Sequence, residues 1–304
     1  MTNSVDFPDK VFGQPCFLPS LDESTPRIVV TAYSLLGDGR RLGQVYCSNR
    51  SVSIHELVLS RLSTTKDDQE QQSWTAKESQ RISSAGRSAR SPRVLFTADS
   101  FKIYFVSNAE GGPHGSCGTL HSLSPVPNVG FSHRILVETV STPKSLDQFP
   151  GLYADQLPAS PFLSLDSGVH IVVTSIWRSR KVALMIHLET GAVNCLSRWP
   201  EPSSDPVFPH LGADAKEMMK SWTVLGTDGG RRVVATRSSL SSPVEVVVAE
   251  VDETVVTEWK VVKKTKLSAR GESERKYSRF ATDNLRSKQG AGDDRLDRPP
   301  SSEV

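Results

Sequence analysis

No stretch of this chain stays apolar for long. Its apolar stretches, such as Ile171-Val172-Val173 and Val244 to Val248, fall far short of the roughly 20 residues that a membrane-spanning helix needs. The opening MTNSVDFPDK has no basic start and no apolar segment behind it, so no secretory leader is expected. Cysteine is scarce. Cys16, Cys47, Cys117 and Cys195 are widely spaced and none forms a CxxC pair, which speaks against a zinc site and a disulfide framework. The expectation is a soluble, cytoplasmic protein with free, mostly buried thiols. An excess of one charge is also missing, since 36 Lys and Arg stand against 34 Asp and Glu. That balance supplies no field to recruit nucleic acid or an anionic membrane. Helical periodicity is nearly absent too, and its best candidate, Ala213 to Ser221, is short.

What the chain does have is a series of short runs rich in Val, Ile, Leu and aromatic residues. They include Ile28 to Val30, Leu42 to Ser48, Ile54 to Leu59, Val94 to Phe96, Ile103 to Val106, Val169 to Thr174, Val182 to Leu188, Ala192 to Leu196, Thr223 to Leu225, Arg232 to Thr236 and Val244 to Val251. Gly, Pro, Asp, Ser or Asn bounds each of them, which is strand chemistry with turns between. Three stretches stand apart. Ser63 to Ser91 is polar, with Trp74 and Ile82 as its only large apolar side chains, and reads as a disordered insert. Trp199 to Pro209 is rich in Pro and Ser and reads as loosely packed. Residues 263–304 carry mixed charges and no apolar run, and read as a disordered tail.

An internal repeat organises the strands. Residues 96–107 read FTADSFKIYFVS and residues 163–175 read LSLDSGVHIVVTS; a looser copy, TVLGTDGGRRVVATRSS, covers 223–239. Asp99, Asp166 and Asp228 hold equivalent places. An Asp-Ser or Asp-Gly pair suits a tight turn between antiparallel strands, because Asp can bond its own turn backbone and Gly tolerates positive φ. Two further strands would then complete a four-stranded unit, as Lys181 to Leu188 and Ala192 to Leu196 would do around Glu189-Thr190-Gly191. Four-stranded units in series are the pattern of a β-propeller. Unrelated hairpins in a sandwich are the alternative.

Little in the sequence offers catalytic chemistry. No Gly-x-Ser-x-Gly occurs, so the strained turn that presents a hydrolase serine is missing. Gly115-Ser116-Cys117-Gly118 has the wrong spacing, and Ser167-Gly168 belongs to a turn. Gly111-Gly112-Pro113-His114 could in principle present backbone amides to an oxyanion, but its turn residues read as a hairpin loop. The seven histidines do not cluster in sequence, with His114 and His121 the closest pair. Asp99 and Asp166 read as turn residues rather than a carboxylate pair. Arg178, Arg180 and Lys181 read as a solvated hairpin edge, and Gly229-Gly230 before Arg231-Arg232 as a turn, not a phosphate loop. No catalytic, cofactor-binding or metal-binding residue is assigned.

Several segments resemble the N-terminal propeller of acylaminoacyl-peptidase (acylamino-acid-releasing enzyme), of the prolyl oligopeptidase family. They are VFGQPCFLPS (11–20), RLGQVYCSNRSVSIHELVL (41–59), PRVLFTADSFKIYFVSNAEGGPHGSCGTLHSL (92–123), FPGLYADQLPASPFLSLDSGVHIVVTSIWRSRKVALMIHLETGAVNCLS (149–197) and SWTVLGTDGGRRVVATRSSLSSPVEVVVAEV (221–251). The Phe-Thr-Ala-Asp-Ser and Leu-Ser-Leu-Asp-Ser runs depart from that family's usual Ser-Pro-Asp-Gly. The resemblance implies an all-β, seven-bladed propeller, of which residues 1–262 would make about five blades at roughly 40–45 residues each. The family's catalytic α/β-hydrolase domain is not represented in this sequence. The resemblance further implies that the full enzyme releases N-acylated residues from short peptides and assembles as a homo-oligomer, with no cofactor. In this chain only substrate gating and assembly would remain, and open sheet edges would make it rely on partners. The alternative function is a non-catalytic module that binds a peptide or another subunit.

Overall fold

The structure is a computed structural model that describes residues 9–19, 25–40, 47–62, 73–145, 148–154, 156–197, 220–239, 242–253 and 255–265. The described residues form strands and turns, with no helix among them. Among the described residues, sixteen strands make four antiparallel sheets, each a meander of four strands in chain order. The first sheet holds β1 (Lys10–Leu18), β2 (Arg27–Ser34), β3 (Val52–Leu62) and β4 (Ser73–Arg81). The second holds β5 (Arg87–Phe96), β6 (Phe101–Ala109), β7 (Thr119–Val126) and β8 (Gly130–Val137). In the third are β9 (Phe162–Leu165), β10 (Gly168–Trp177), β11 (Arg180–His187) and β12 (Val193–Cys195). The fourth comprises β13 (Ser221–Thr227), β14 (Arg232–Ser239), β15 (Ser242–Asp252) and β16 (Val255–Lys264).

Apolar alternation explains how the sheets stack. Side chains along a strand point to opposite faces in turn. On β10, Ile171 and Val173 enter a cluster shared with Tyr104, Val106 and Leu120 of the second sheet. Their neighbour Val172, with Ala183 and Met185 of β11, enters a different cluster with Val224, Val233 and Ala249 of the fourth sheet. The third sheet is therefore covered on both faces, which is why β10 and β11 read as near-continuous apolar runs. The second sheet behaves alike: Ile103 and Phe105 pack on Val29 and Ile54 of the first sheet, while Tyr104 and Val106 face the third. Fully burying one such Leu or Ile is worth roughly 1.5–3 kcal/mol.

The first strands of the sheets are also tied to one another by polar contacts. β1 and β5 each carry a bulge just before a proline, with Gln14 at φ 51° and Ser91 at φ 55°. Gln14 Oε1 accepts from Ser91 N at 3.0 Å and from Thr31 Oγ1 at 2.8 Å. Between the third and fourth sheets, Thr227 N donates to Ser160 O at 2.8 Å and Ser164 N to Gly230 O at 3.0 Å. The bulges bend these strands while the bonds between them satisfy backbone groups that a bulge leaves unpaired.

All three aspartates of the repeat lie where the repeat requires. Asp99 falls between β5 and β6, Asp166 between β9 and β10, and Asp228 between β13 and β14. Their local bonds differ. Asp228 Oδ1 accepts from Gly230 N and Arg232 N of its own turn, whereas Asp166 pairs with Arg231 at 2.7 Å.

Other expectations need correction. Residues 73–81, inside the supposed insert, form β4, and 87–91 begin β5. β4 escapes notice because it is the outer strand of its sheet, where polar residues are favoured; residues 63–72 lie outside the described set. β8 was not expected as a strand, for the same reason. β16 continues to Lys264, so the boundary at 262 falls inside a strand. The units are longer than the expected spacing, since their first strands begin at Lys10, Arg87, Phe162 and Ser221, and the described residues make four of them. Residues 42–46, Trp199 to Pro209, 213–219 and the tail beyond 265 lie outside the described residues. The four thiols are free and partly buried.

Leu184 is fully buried between the second and third sheets. Leu184→Ala should cost about 2–5 kcal/mol in urea unfolding. Val129→Ala, at a side chain 78% exposed, should stay within about 0.5 kcal/mol of the parent.

Candidate functional site

Strands β5, β10, β11 and β13, with several loops, line a cavity of about 990 Å³. Arg93 of β5, Thr174 and Ile176 of β10, Lys181 of β11 and Thr223 to Leu225 of β13 form part of its wall. Ser48, the 114–116 loop, Tyr153 and residues 156–159 complete it. The wall thus draws on strands of the last three sheets, on the β2–β3 connection of the first, and on the segment that leads into β9.

That segment is held by two arginines. Arg90 donates to Asn108 Oδ1 at 2.7 Å and to Ala154 O at 2.9 Å. Arg93 donates to Leu157 O at 2.6 Å, to Pro92 O at 2.7 Å and to Pro158 O. The carbonyls of 154, 157 and 158 belong to irregular backbone outside the sheets, so the guanidinium forks take the place of a sheet ladder. Burial lowers the Arg93 pKa below the usual guanidinium value. The same fastening sets Leu157 into the cluster between the second and third sheets.

The Gly111-Gly112-Pro113-His114 run lies in the loop between β6 and β7. Its amides are already engaged. Gly111 N donates to Asn49 O at 3.0 Å and Gly112 N to Ala109 O at 3.3 Å. The loop therefore offers no pair of free amides to an oxyanion; instead it folds His114, Gly115 and Ser116 against the cavity. A Cβ at Gly115 would stand 2.5 Å from the Tyr153 hydroxyl, so a larger residue there would displace the Tyr153 ring.

The histidines do come together, contrary to the expectation from their spacing in sequence. His121 Nδ1 lies 2.7 Å from His133 Nε2, and both rings stack against Phe105. Ser107 Oγ is 2.6 Å from His121 Nε2 and accepts from Arg87 Nε at 2.6 Å. One consistent set of donors runs from Arg87 through Ser107 and His121 to His133. Ser107 and His121 are buried, so this line of polar groups satisfies the interior and offers no nucleophile to a ligand. His170 and His187 also meet, ring edge to face, because the two-residue turn at Arg178-Ser179 sets them opposite each other on β10 and β11. Hairpin register, which that turn fixes, is the signal that could have found this second pair.

Desolvation pushes His121 down to about 3 and His55 to about 4, from an ordinary 6.5. Burial likewise raises the thiols of Cys16, Cys117 and Cys195, which disfavours the reactive thiolate. Asp99 and Asp166 occupy turns of neighbouring sheets, both exposed. Among the described residues, no group of three or more His, Cys, Asp and Glu side chains could hold a metal ion. None of the described residues forms a helix long and apolar enough to cross a membrane. Of the basic turn, Lys181 reaches the cavity wall, a placement that its position in the sequence did not reveal.

A series of four-stranded meanders with a loop-lined cavity among them defines an all-β repeat domain. The sequence model of the N-terminal domain of acylamino-acid-releasing enzyme matches residues 6–271, and the chain belongs to that family. It is 29% identical over 239 residues to the acylamino-acid-releasing enzyme of Arabidopsis thaliana, covering 76% of this chain and 27% of that protein. Acylamino-acid-releasing enzyme 2 of Oryza sativa subsp. japonica is 26% identical over 243 residues, covering 76% of this chain and 29% of that protein. The chain thus spans less than a third of the length of these curated relatives. Among solved structures, a family 117 glycoside hydrolase of Zobellia galactanivorans aligns at 12% identity and TM-score 0.42, over 88% of this chain and 73% of the other. A puromycin-hydrolysing peptidase of Mycobacterium tuberculosis aligns at 11% identity and TM-score 0.37, over 84% and 38%. Scores at this level carry no weight for the fold.

The buried histidines make stability depend on pH. Their folded pKa values lie below the unfolded ones, so their stabilisation is complete above pH 6.5 and is lost as pH falls towards 4. Each should contribute a slope of up to roughly 1.4 kcal/mol per pH unit within that window. Urea midpoints should drop between pH 7 and pH 5, and His121→Gln should flatten that drop.

Proposed function

We propose that the four sheets are consecutive blades of a β-propeller, and that this chain serves an acylamino-acid-releasing enzyme as its gating and assembly domain. The observation that carries the reading is the family match over residues 6–271. The architecture supports it. Each sheet is a four-stranded meander, the Asp turn recurs between the first and second strands of three sheets, and successive sheets pack face to face. Blades arranged in this way bring their first strands together around an axis. The polar ties between β1 and β5, and between β9 and the β13–β14 turn, fit that arrangement.

In this reading the whole protein removes N-acylated residues from short peptides by serine acyl transfer. The nucleophile belongs to the part of the relatives that the match does not cover. The blades leave a passage that admits short extended peptides and turns away folded ones, and the faces of the first and fourth sheets meet further blades or subunits.

The purified chain should therefore give no turnover of acetyl-alanine p-nitroanilide and no labelling by a fluorophosphonate serine probe. Turnover, or a labelled serine within residues 9–265, would contradict the assignment.

A further inference from the structure

The basic segment RISSAGRSARSPR (81–93) places four serines among arginines. Arginine three residues ahead of an acceptor is a charge pattern that basophilic protein kinases read, and Arg81 holds that place before Ser84. The fold separates the four serines. Ser88 and Ser91 are buried in β5. Ser83 is buried too, and its hydroxyl accepts from Ile54 N at 3.0 Å. Ser84 is exposed, with Ala85 and Gly86, in the turn that carries the chain from the first sheet to the second. Its Oγ lies 3.4 Å from Nδ1 of His133, on β8. In the donor order that runs from Arg87 through Ser107 and His121, His133 Nε2 accepts. Its Nδ1 then carries the proton and points it at Ser84. Hydrogen bonds in series strengthen one another, so a line that begins at a guanidinium ends as a donor at the surface. Arg81, the last residue of β4, donates to Ser83 O at 3.1 Å and to Ser84 O at 2.8 Å, which fixes its guanidinium beside the same residue. A serine phosphate has three acceptor oxygens and nearly two negative charges, and N–H donors and arginine are the groups that receive it.

We propose that Ser84 is a phosphorylation site, and that His133 and Arg81 receive its phosphate. The reaction is phosphoryl transfer from a nucleoside triphosphate held by the kinase. The bond from Ser84 Oγ to the γ-phosphorus forms and the bond from that phosphorus to its bridging oxygen breaks. The serine proton passes to the kinase's base, and the nucleoside diphosphate leaves. Arg81 lies on the outer strand of the first sheet and His133 on the outer strand of the second. The phosphate therefore clasps the outer edges of the two sheets.

The acceptor is tested by treating the whole folded chain with a calmodulin-dependent protein kinase and ATP. Mass spectrometry should find phosphate on Ser84, and Ser84→Ala should abolish it. A chain that stays unmodified, or phosphate on Ser83, Ser88 or Ser91 instead, would overturn the acceptor assignment. The receiving groups are tested separately, on the whole chain made with phosphoserine in place of Ser84. Phosphorus NMR should place the second ionisation of the phosphate at least about 0.5 pH units below that of the phosphopeptide of residues 81–90. His133→Gln, at an exposed position and with unchanged melting, should return most of that difference. A midpoint equal to that of the peptide, or one that His133→Gln does not move, would overturn the receiving site. Amides of β4 and β8 should exchange at least about threefold more slowly in the phosphorylated chain, and unchanged exchange would overturn the clasp.

Discussion

The third sheet has no face left for water. Ile171, Val173 and Leu184 lie against the second sheet, and Val172, Ala183 and Met185 against the fourth. Because a strand alternates its side chains, a sheet can have two apolar faces only if both are covered. This condition forces a neighbour onto each side and makes the order of sheets follow the order of the chain. It also fixes register, since a slip by one residue would exchange the two apolar sets and leave neither matched to its partner. The second sheet repeats the condition with Ile103 and Phe105 on one face and Tyr104 and Val106 on the other.

The cavity is a consequence of that stacking. Irregular backbone must cross from one sheet to the next, and its polar groups need partners. Between the second and third sheets the partners are Arg90 and Arg93, whose guanidinium groups meet the carbonyls of residues 154, 157 and 158. Between the first and second, the Gln14 side chain bridges Thr31 and Ser91. The side chains that secure the crossings also give the enclosed space its chemistry. Arg93 contributes to both, as it holds Leu157 in the core and presents positive charge to the cavity.

Much of this frame was legible in the residues. Apolar runs such as Val182 to Leu188 marked the doubly covered strands, and Asp99, Asp166 and Asp228 marked the turns between first and second strands. β4 and β8 were not legible, because outer strands carry polar side chains that mimic loop composition. A second periodic signal went unread. Gln14-Pro15, Ser91-Pro92 and Ser160-Pro161 recur ahead of short apolar runs, and the first two of these pairs sit at bulges of first strands. The His121–His133 contact and the grip of Arg93 on residues 157 and 158 depend on approaches between distant parts of the chain. Composition and spacing do not encode such approaches until the hairpin registers and sheet order are known.

Hydrogen exchange along the chain tests the stacking most directly. If the third sheet is covered on both faces, the amides of β10 and β11 should exchange most slowly, with those of β6 and β7 next. Exchange of β10 and β11 as fast as that of the outer strands β4 and β16 would show that the third sheet is not enclosed, and the account of the fold would fail with it.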